Sequence, residues 1–257
     1  MTRFVLTGAS SGIGAALAAE LLEPGRSALL IARSETKLEG IADRLKVSGA
    51  SVETRALDVT DAHEMDRALT AFDAHAPVDL VIANAGVSCG AGEDGRPESV
   101  DDARRVIAVN VLGALNTISP ILPAMRARCA GHLVLVSSLA ALRPLPSMPA
   151  YGASKAALRA YGTALRGAER RHGITVTLVC PGFVTTPMSQ RHLGVRPFEV
   201  PVDVAARRIA RGVRRRQALV TFPWPLALLT WLGARLPPHL SDRMIAPFAA
   251  EILPQDR

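Results

Sequence analysis

Thr7-Gly8-Ala9-Ser10-Ser11-Gly12-Ile13-Gly14 is the stretch on which the reading of this chain turns. It follows an apolar run, Phe4 to Thr7, and opens a segment, Gly12 to Leu22, in which Ile13, Leu17 and Leu21 recur at i, i+4 and i+8. The first pattern is that of a short buried strand, the second that of a helix with one apolar face. Glycines at the junction let the chain turn tightly and approach a ligand closely. The helix that follows points unpaired N–H groups at the turn, which makes a seat for a pyrophosphate. The spacing, Gly-x-x-x-Gly-x-Gly, differs from the G-x-G-x-x-G of the larger dinucleotide folds, but the physics is the same. Ser10 and Ser11 add hydroxyl donors.

Outward from this turn, short apolar runs alternate with helix-period segments. Strands are expected at Ser27 to Ala32, Val52 to Val59, Val78 to Ala83, Leu133 to Ser137, Ile174 to Cys180 and Ala218 to Phe222. Between them fall helices. One starts near Ser34, with Leu38, Ile41 and Leu45 on one face and Gly49 to stop it. The next is capped by Thr60 and carries Met65, Leu69 and Phe72. A long one covers Val100 to Cys129, another runs from Tyr151 to Arg171 and ends at Gly173, and the last covers Val202 to Arg216. The strands do not alternate apolar with polar, as expected of a parallel sheet covered on both faces. Repeated β–α units with right-handed crossovers give an α/β fold: a doubly wound, Rossmann-type parallel sheet of seven strands. The 257 residues are within range for one such domain, and no linker or repeat divides them.

The Gly-rich stretch resembles the cofactor loop of the short-chain dehydrogenase/reductase family. The resemblance continues in order to about residue 188, through Asp58-Val59, Asn84-Ala85-Gly86, Tyr151-Gly152-Ala153-Ser154-Lys155 and Pro181-Gly182-Phe183-Val184-Thr185-Thr186-Pro187-Met188. It implies a nicotinamide dinucleotide held by Gly8, Ser10, Ser11, Gly12, Ile13 and Gly14. Asp58 and Val59 would meet the adenine, and Asn84, Ala85 and Gly86 would lie near the cofactor. Pro181 and Gly182 open the segment in which Val184 and Thr186 would hold the nicotinamide amide.

The strongest single feature is Tyr151 with Lys155, four residues apart and so on one helix face. A phenol with a pKa near 10 is a poor base, and a neighbouring ammonium favours the phenolate. A lowering of about three units takes about 4 kcal/mol. Tyr151 is then expected to act as general acid in reduction and general base in oxidation. By the same resemblance Ser138, thirteen positions before Tyr151, would hydrogen-bond the substrate carbonyl, with Ser137 a structural neighbour. Asn110 would hold a water linking Lys155 to solvent; an asparagine in mid-helix otherwise has little to recommend it. The implied reaction is hydride transfer between nicotinamide and a carbonyl or alcohol carbon, with no metal. A cofactor-binding regulatory module is the rival reading, but it has no need of Tyr151, Lys155 and Ser138 together.

Folds that prefer NAD place an acid after the second strand to bind the ribose 2′-hydroxyl. Here the sequence reads Ala32-Arg33-Ser34. A guanidinium pairs with a 2′-phosphate, so NADP(H) is expected over NAD(H), with Arg33 and Ser34 at the site.

The substrate pocket is expected between Leu139–Ala150, the residues after Thr186 and the C-terminal tail, lined by Leu142, Leu145, Met148, Met188 and Phe198 and suited to a hydrophobic carbonyl or alcohol. The formal charge is +7, almost all of it arginine, but aromatic content is 4% and no nucleic-acid motif accompanies it. Cys89, Cys129 and Cys180 are scattered, without metal-ligand spacing, which together with a charged start and no leader pattern leads to a cytoplasmic expectation. A homodimer or homotetramer is expected from the family. Residues 222–257 form a short apolar extension, and the uncharged run Ala218 to Ala234 holds Trp224 and Trp231. Its prolines and length argue against a transmembrane span, and packing on the same chain, on a twin subunit or on a membrane surface remain its alternatives.

Overall fold

The computed structural model describes residues 2–46, 49–92 and 96–253. The residues 254–257 of the expected extension lie outside the described part. Seven strands run parallel: β1 Arg3–Thr7, β2 Ser27–Ala32, β3 Ser51–Ala56, β4 Leu80–Ala83, β5 Gly131–Val136, β6 Ile174–Pro181 and β7 Leu219–Phe222. Their order is β3-β2-β1-β4-β5-β6-β7. The doubly wound, Rossmann-type sheet read from the sequence is therefore the observed one.

Helices cover both faces. On one lie α1 (Gly12–Leu21), α2 (Glu35–Lys46) and, from much later in the chain, α9 (Val202–Arg214). Leu17, Leu21, Leu38, Ile209 and Val213 meet Phe4, Leu6 and Leu30 of the sheet there. On the other lie α3 (Ala62–His75), α4 (Val100–Ile107), α5 (Gly113–Ile118), α6 (Leu122–Ala127) and α7 (Pro149–Glu169). Met65, Leu69, Phe72, Ile118 and Leu158 meet Val5, Leu29 and Val81. Consecutive residues of β1 and β2 thus feed opposite cores, which is why those strands are apolar throughout. Each leucine so buried contributes about 1.5–3 kcal/mol.

The edges depart from this pattern. Ser51, Glu53 and Arg55 of β3 and Leu219 and Thr221 of β7 are exposed, because an edge strand is only half covered. β3 also stops at Ala56 instead of Val59. Asp58 Oδ1 accepts from the Thr60 amide at 2.9 Å and from its hydroxyl at 2.8 Å, turning the chain out of the sheet. Asp61, not Thr60, caps α3, by accepting from the Glu64 amide.

The helix expected over Val100 to Cys129 is broken twice. After α4 the chain makes a π-helical turn, Ala108–Leu112, before α5. After α5 it breaks again at the Ser119-Pro120-Ile121 step, since proline cannot continue the ladder. The stretch 100–127 is apolar and long enough to cross a membrane by composition, but Val106, Asn110, Thr117, Ile118 and Met125 are buried within the fold. A short helix, α8 (Pro187–Gln190), follows β6, and α10 (Trp224–Gly233) and α11 (Pro238–Ile245) follow β7.

Candidate active site

β1 and β4 are neighbours, but β1 leads on to β2 on one side and β4 to β5 on the other. A crevice opens beyond the carboxyl ends of strands at such a switch point. Here it is a cavity of about 490 Å³. Of the predicted site residues, all but Ser34 and Asn110 line it.

At its cofactor end the glycine turn is held by its neighbours. Gly8 has φ +70°, and its amide donates to Ile31 O at 2.8 Å. Asn84 Nδ2 donates to Thr7 O at 2.9 Å. A Cβ on Gly8 would fall 2.8 Å from Ala85 Cα, and one on Gly14 would overlap Gly8 O. Only glycine allows these approaches. Ser11, the N-cap of α1, makes no side-chain capping bond. The helix thus presents uncapped N–H groups to the cavity, the donor set a pyrophosphate needs, and a nicotinamide dinucleotide fits this cradle.

Arg33 is exposed at the cavity edge, where no carboxylate stands at the end of β2. Ser34 serves the helix instead. Its hydroxyl accepts from the Lys37 amide at the start of α2, and it does not line the cavity. Asp58 and Val59 line the same end. Thr186 stands close to Gly12, while its own hydroxyl caps α8 by accepting from the Ser189 amide.

At the chemical end three side chains from two elements converge. Ser138 follows β5, Tyr151 lies in the first turn of α7, and Lys155 lies one turn further on. Ser137 Oγ donates to Lys155 O at 2.7 Å, which is the structural role expected of it. Ser138 faces the cavity, accepting from the Ala140 amide at 3.1 Å and donating to Pro181 O at 3.4 Å.

Lys155 is buried, and among the described residues no carboxylate pairs with it. Its Nζ donates to Val136 O at 3.0 Å and stands 5.7 Å from the centre of the Tyr151 ring. Burial lowers its pKa to about 8. The same burial raises the Tyr151 phenol above its ordinary value, opposed by a hydrogen bond from Ser138. Helical spacing alone leads to the opposite expectation, that the ammonium lowers the phenol. In the protein alone desolvation outweighs any such pull, and the hydroxyl of Ser138 is what favours the phenolate.

Asn110 lies behind the cavity wall. It is fully buried in the π-helical turn and is not on the cavity wall. Its Oδ1 accepts from Val87 N at 2.8 Å, and its Nδ2 donates to Val87 O at 3.0 Å and to Ser154 Oγ at 2.9 Å. Ser154 Oγ in turn donates to Tyr151 O at 2.7 Å. Its side chain fastens the Tyr151 turn to the segment that follows β4. Gly86 lets this cluster close, since a Cβ there would lie 3.2 Å from Asn110 Oδ1 and 3.4 Å from Lys155 Nζ.

The rest of the cavity is largely apolar. Leu145, Met148 and Met188 line it as expected, but Leu142 and Phe198 do not, and Phe198 is 52% exposed. The roof comes from α10 and α11, through Leu226, Leu229, Thr230, Met244 and Ile245. A Cβ on Gly182 would fall 2.8 Å from Leu226 Cδ2, so this glycine admits the roof. Arg143 and His192 are among the polar side chains that join the cavity without a sequence signal. Arg143 lines it and donates to Asp242 of α11 at 2.5 Å. His192 is buried beside Phe183, and burial lowers its pKa. Neither stands in a motif; only their folded positions bring them here.

A dinucleotide cradle joined to a Ser–Tyr–Lys cluster in one crevice defines an NAD(P)-dependent oxidoreductase. Comparison with known proteins makes the family specific. The short chain dehydrogenase profile matches residues 3–193. An uncharacterized oxidoreductase of Myxococcus xanthus is 38% identical over 239 residues, covering 93% of this chain and 94% of that one. A short-chain dehydrogenase from Sphingobium yanoikuyae, solved with NADPH, superposes with a TM-score of 0.77 at 25% identity, covering 96% and 92%. A short-chain dehydrogenase from Mycobacterium paratuberculosis, solved with NAD, shares the fold with a TM-score of 0.74 at 21% identity, covering 85% and 94%. This chain belongs to the short-chain dehydrogenase/reductase family.

Proposed function

We propose that the chain is a single-domain, NADP(H)-dependent reductase or dehydrogenase of an apolar carbonyl or alcohol, with Tyr151 as its general acid/base. One observation carries this reading: Ser138, Tyr151 and Lys155, from separate turns of the chain, share a cavity wall with the Gly8–Gly14 cradle. A bound nicotinamide supplies or accepts the hydride. The protein has to place the carbonyl and to move the proton.

Ser138 Oγ is positioned to donate to the substrate oxygen. Tyr151 stands beside it, and burial keeps its hydroxyl protonated, ready to be given to that oxygen as negative charge develops there. Lys155 provides a positive charge one turn away, and Asn110 keeps the turn in place through Ser154. The apolar lining excludes water and favours a hydrophobic substrate body. Arg33, with no acid at the end of β2, supports NADP(H) over NAD(H). Exposed Val100, Ile107 and Leu112 along one stretch of helix support a homodimer or homotetramer. The free thiols Cys89, Cys129 and Cys180 support a reducing, cytoplasmic setting.

The test is Tyr151→Phe, assayed by NADPH absorbance over a panel of aldehydes, ketones and alcohols. Turnover is expected to fall by about 10² or more, with cofactor binding changed by no more than about twofold. Turnover near the unmodified level would remove Tyr151 from the proton-transfer role.

A further inference from the structure

The helix that roofs the cavity has a second face. Trp224, Leu228, Trp231 and Leu232 recur at i, i+4, i+7 and i+8 of α10 and are 74%, 48%, 43% and 47% exposed. The apolar surface continues through Leu236 and Leu240 onto α11. The two helices are firmly joined. Ser241 Oγ donates to Gly233 O at 2.8 Å, and a Cβ on Gly233 would strike Met244. This is therefore a contiguous exposed apolar surface on two joined helices, the kind of feature that marks an interaction site.

Its charge selects the partner. No acidic residue occurs between Leu219 and Ser241. The next carboxylate, Asp242, is taken by Arg143. Arg235 lies with its guanidinium 3.5 Å over the Trp231 ring and donates to Trp231 O, a cation at the rim of the apolar face. Exposed Arg243 adds another on α11. A two-fold contact through this face would bring two such cationic surfaces together, with no free carboxylate in 219–241 to pair them. An anionic headgroup layer accepts both the arginines and the tryptophans, whose rings favour the membrane interface. The ten residues of α10 are too few to span a bilayer, so the helix would lie flat.

We propose that the α10–α11 face docks on an anionic phospholipid leaflet and that the cavity beneath it takes its apolar substrate from that leaflet. The substrate half of this statement rests on the oxidoreductase reading above; the docking half does not.

The experiment is co-sedimentation of the full chain with phosphatidylcholine vesicles and with vesicles containing phosphatidylglycerol, at low and high salt. Binding is expected for the anionic vesicles only, and to weaken with salt. Trp224→Ser with Trp231→Ser, and separately Arg235→Glu with Arg243→Glu, should each weaken it by about tenfold or more. None of these residues lines the cavity, so NADPH titration should be unchanged and certifies each variant's fold. Absence of sedimentation would overturn the proposal. So would a tryptophan variant that turns a dimer into a monomer by light scattering yet leaves sedimentation unaltered, since the face would then join two copies. Because sedimentation needs no turnover, a protein that binds vesicles but reduces nothing would fail the functional reading alone.

Discussion

Replacing Lys155 with methionine is expected to stabilise the fold while ending turnover. Lys155 is 4% exposed and, among the described residues, has one side-chain hydrogen bond, to Val136 O, and no carboxylate beside it. Burial lowers its pKa from 10.5 to about 8. The unfolded chain therefore holds this proton up to about pH 10.5, whereas the folded chain releases it near 8. Between these values the unfolded state binds more protons, so native stability rises with pH across that window. At 1.36 kcal/mol per unit the span is worth about 3 kcal/mol, and below about pH 8 the whole of it stands against folding. Methionine has a similar length and no charge. Less the lost bond to Val136 O, the Lys155→Met variant should be more stable by about 1–3 kcal/mol at about pH 7. Urea unfolding followed by circular dichroism, at several pH values from about 7 to about 10.5, measures the difference. The advantage of the variant should shrink by about 3 kcal/mol across the window. A difference that stays constant with pH would refute the claim that the buried ammonium is the source of the strain.

Ala32→Asp with Arg33→Ser should shift cofactor preference towards NAD(H) by about tenfold or more, roughly one charge-assisted contact; fluorescence titration of both cofactors decides it, and tighter NAD(H) binding to the unmodified chain would sink the assignment. His132 is buried, with Nε2 2.8 Å from Thr177 Oγ1 and Nδ1 unbonded, and burial, aided by Arg216, lowers its pKa to about 4. Its folded value lies below its unfolded 6.5, so its contribution is complete above about pH 6.5 and about 3 kcal/mol is lost by about pH 4. Urea midpoints of His132→Gln should show a correspondingly flatter slope in that window, and an unchanged slope would count against it.

The centre of this fold is legible in the sequence because local and global preferences agree there. β1, β2, β4 and β5 are buried on both faces, so apolar residues run through them, and the Gly8–Gly14 turn admits no side chain at its glycines. The ends of elements are less legible. Asp58 ends β3 early through two hydrogen bonds that no periodicity announces. The π-helical turn at Ala108–Leu112 arises where Asn110 is drawn to Val87 and Ser154, partners 23 and 44 residues away. The ionisation of Tyr151 is hidden for a related reason. Spacing on a helix reveals that Lys155 is near, but the desolvation that dominates both groups comes from the whole fold. Arg143 and His192 reach the cavity from loops, and the run Ala218–Ala234 shows its composition but not which face meets water.

Gly182 gives the molecule a seam. The profile shared across the family ends at residue 193, whereas the roof over the substrate begins at Trp224. One place where the two parts touch is Leu226 against Gly182, one residue beyond the Pro181 carbonyl that Ser138 holds. Substitutions from Trp224 onward can therefore reshape the roof without touching Ser138, Tyr151 or Lys155. The missing side chain of that glycine is the clearance between the roof and the chemistry beneath it.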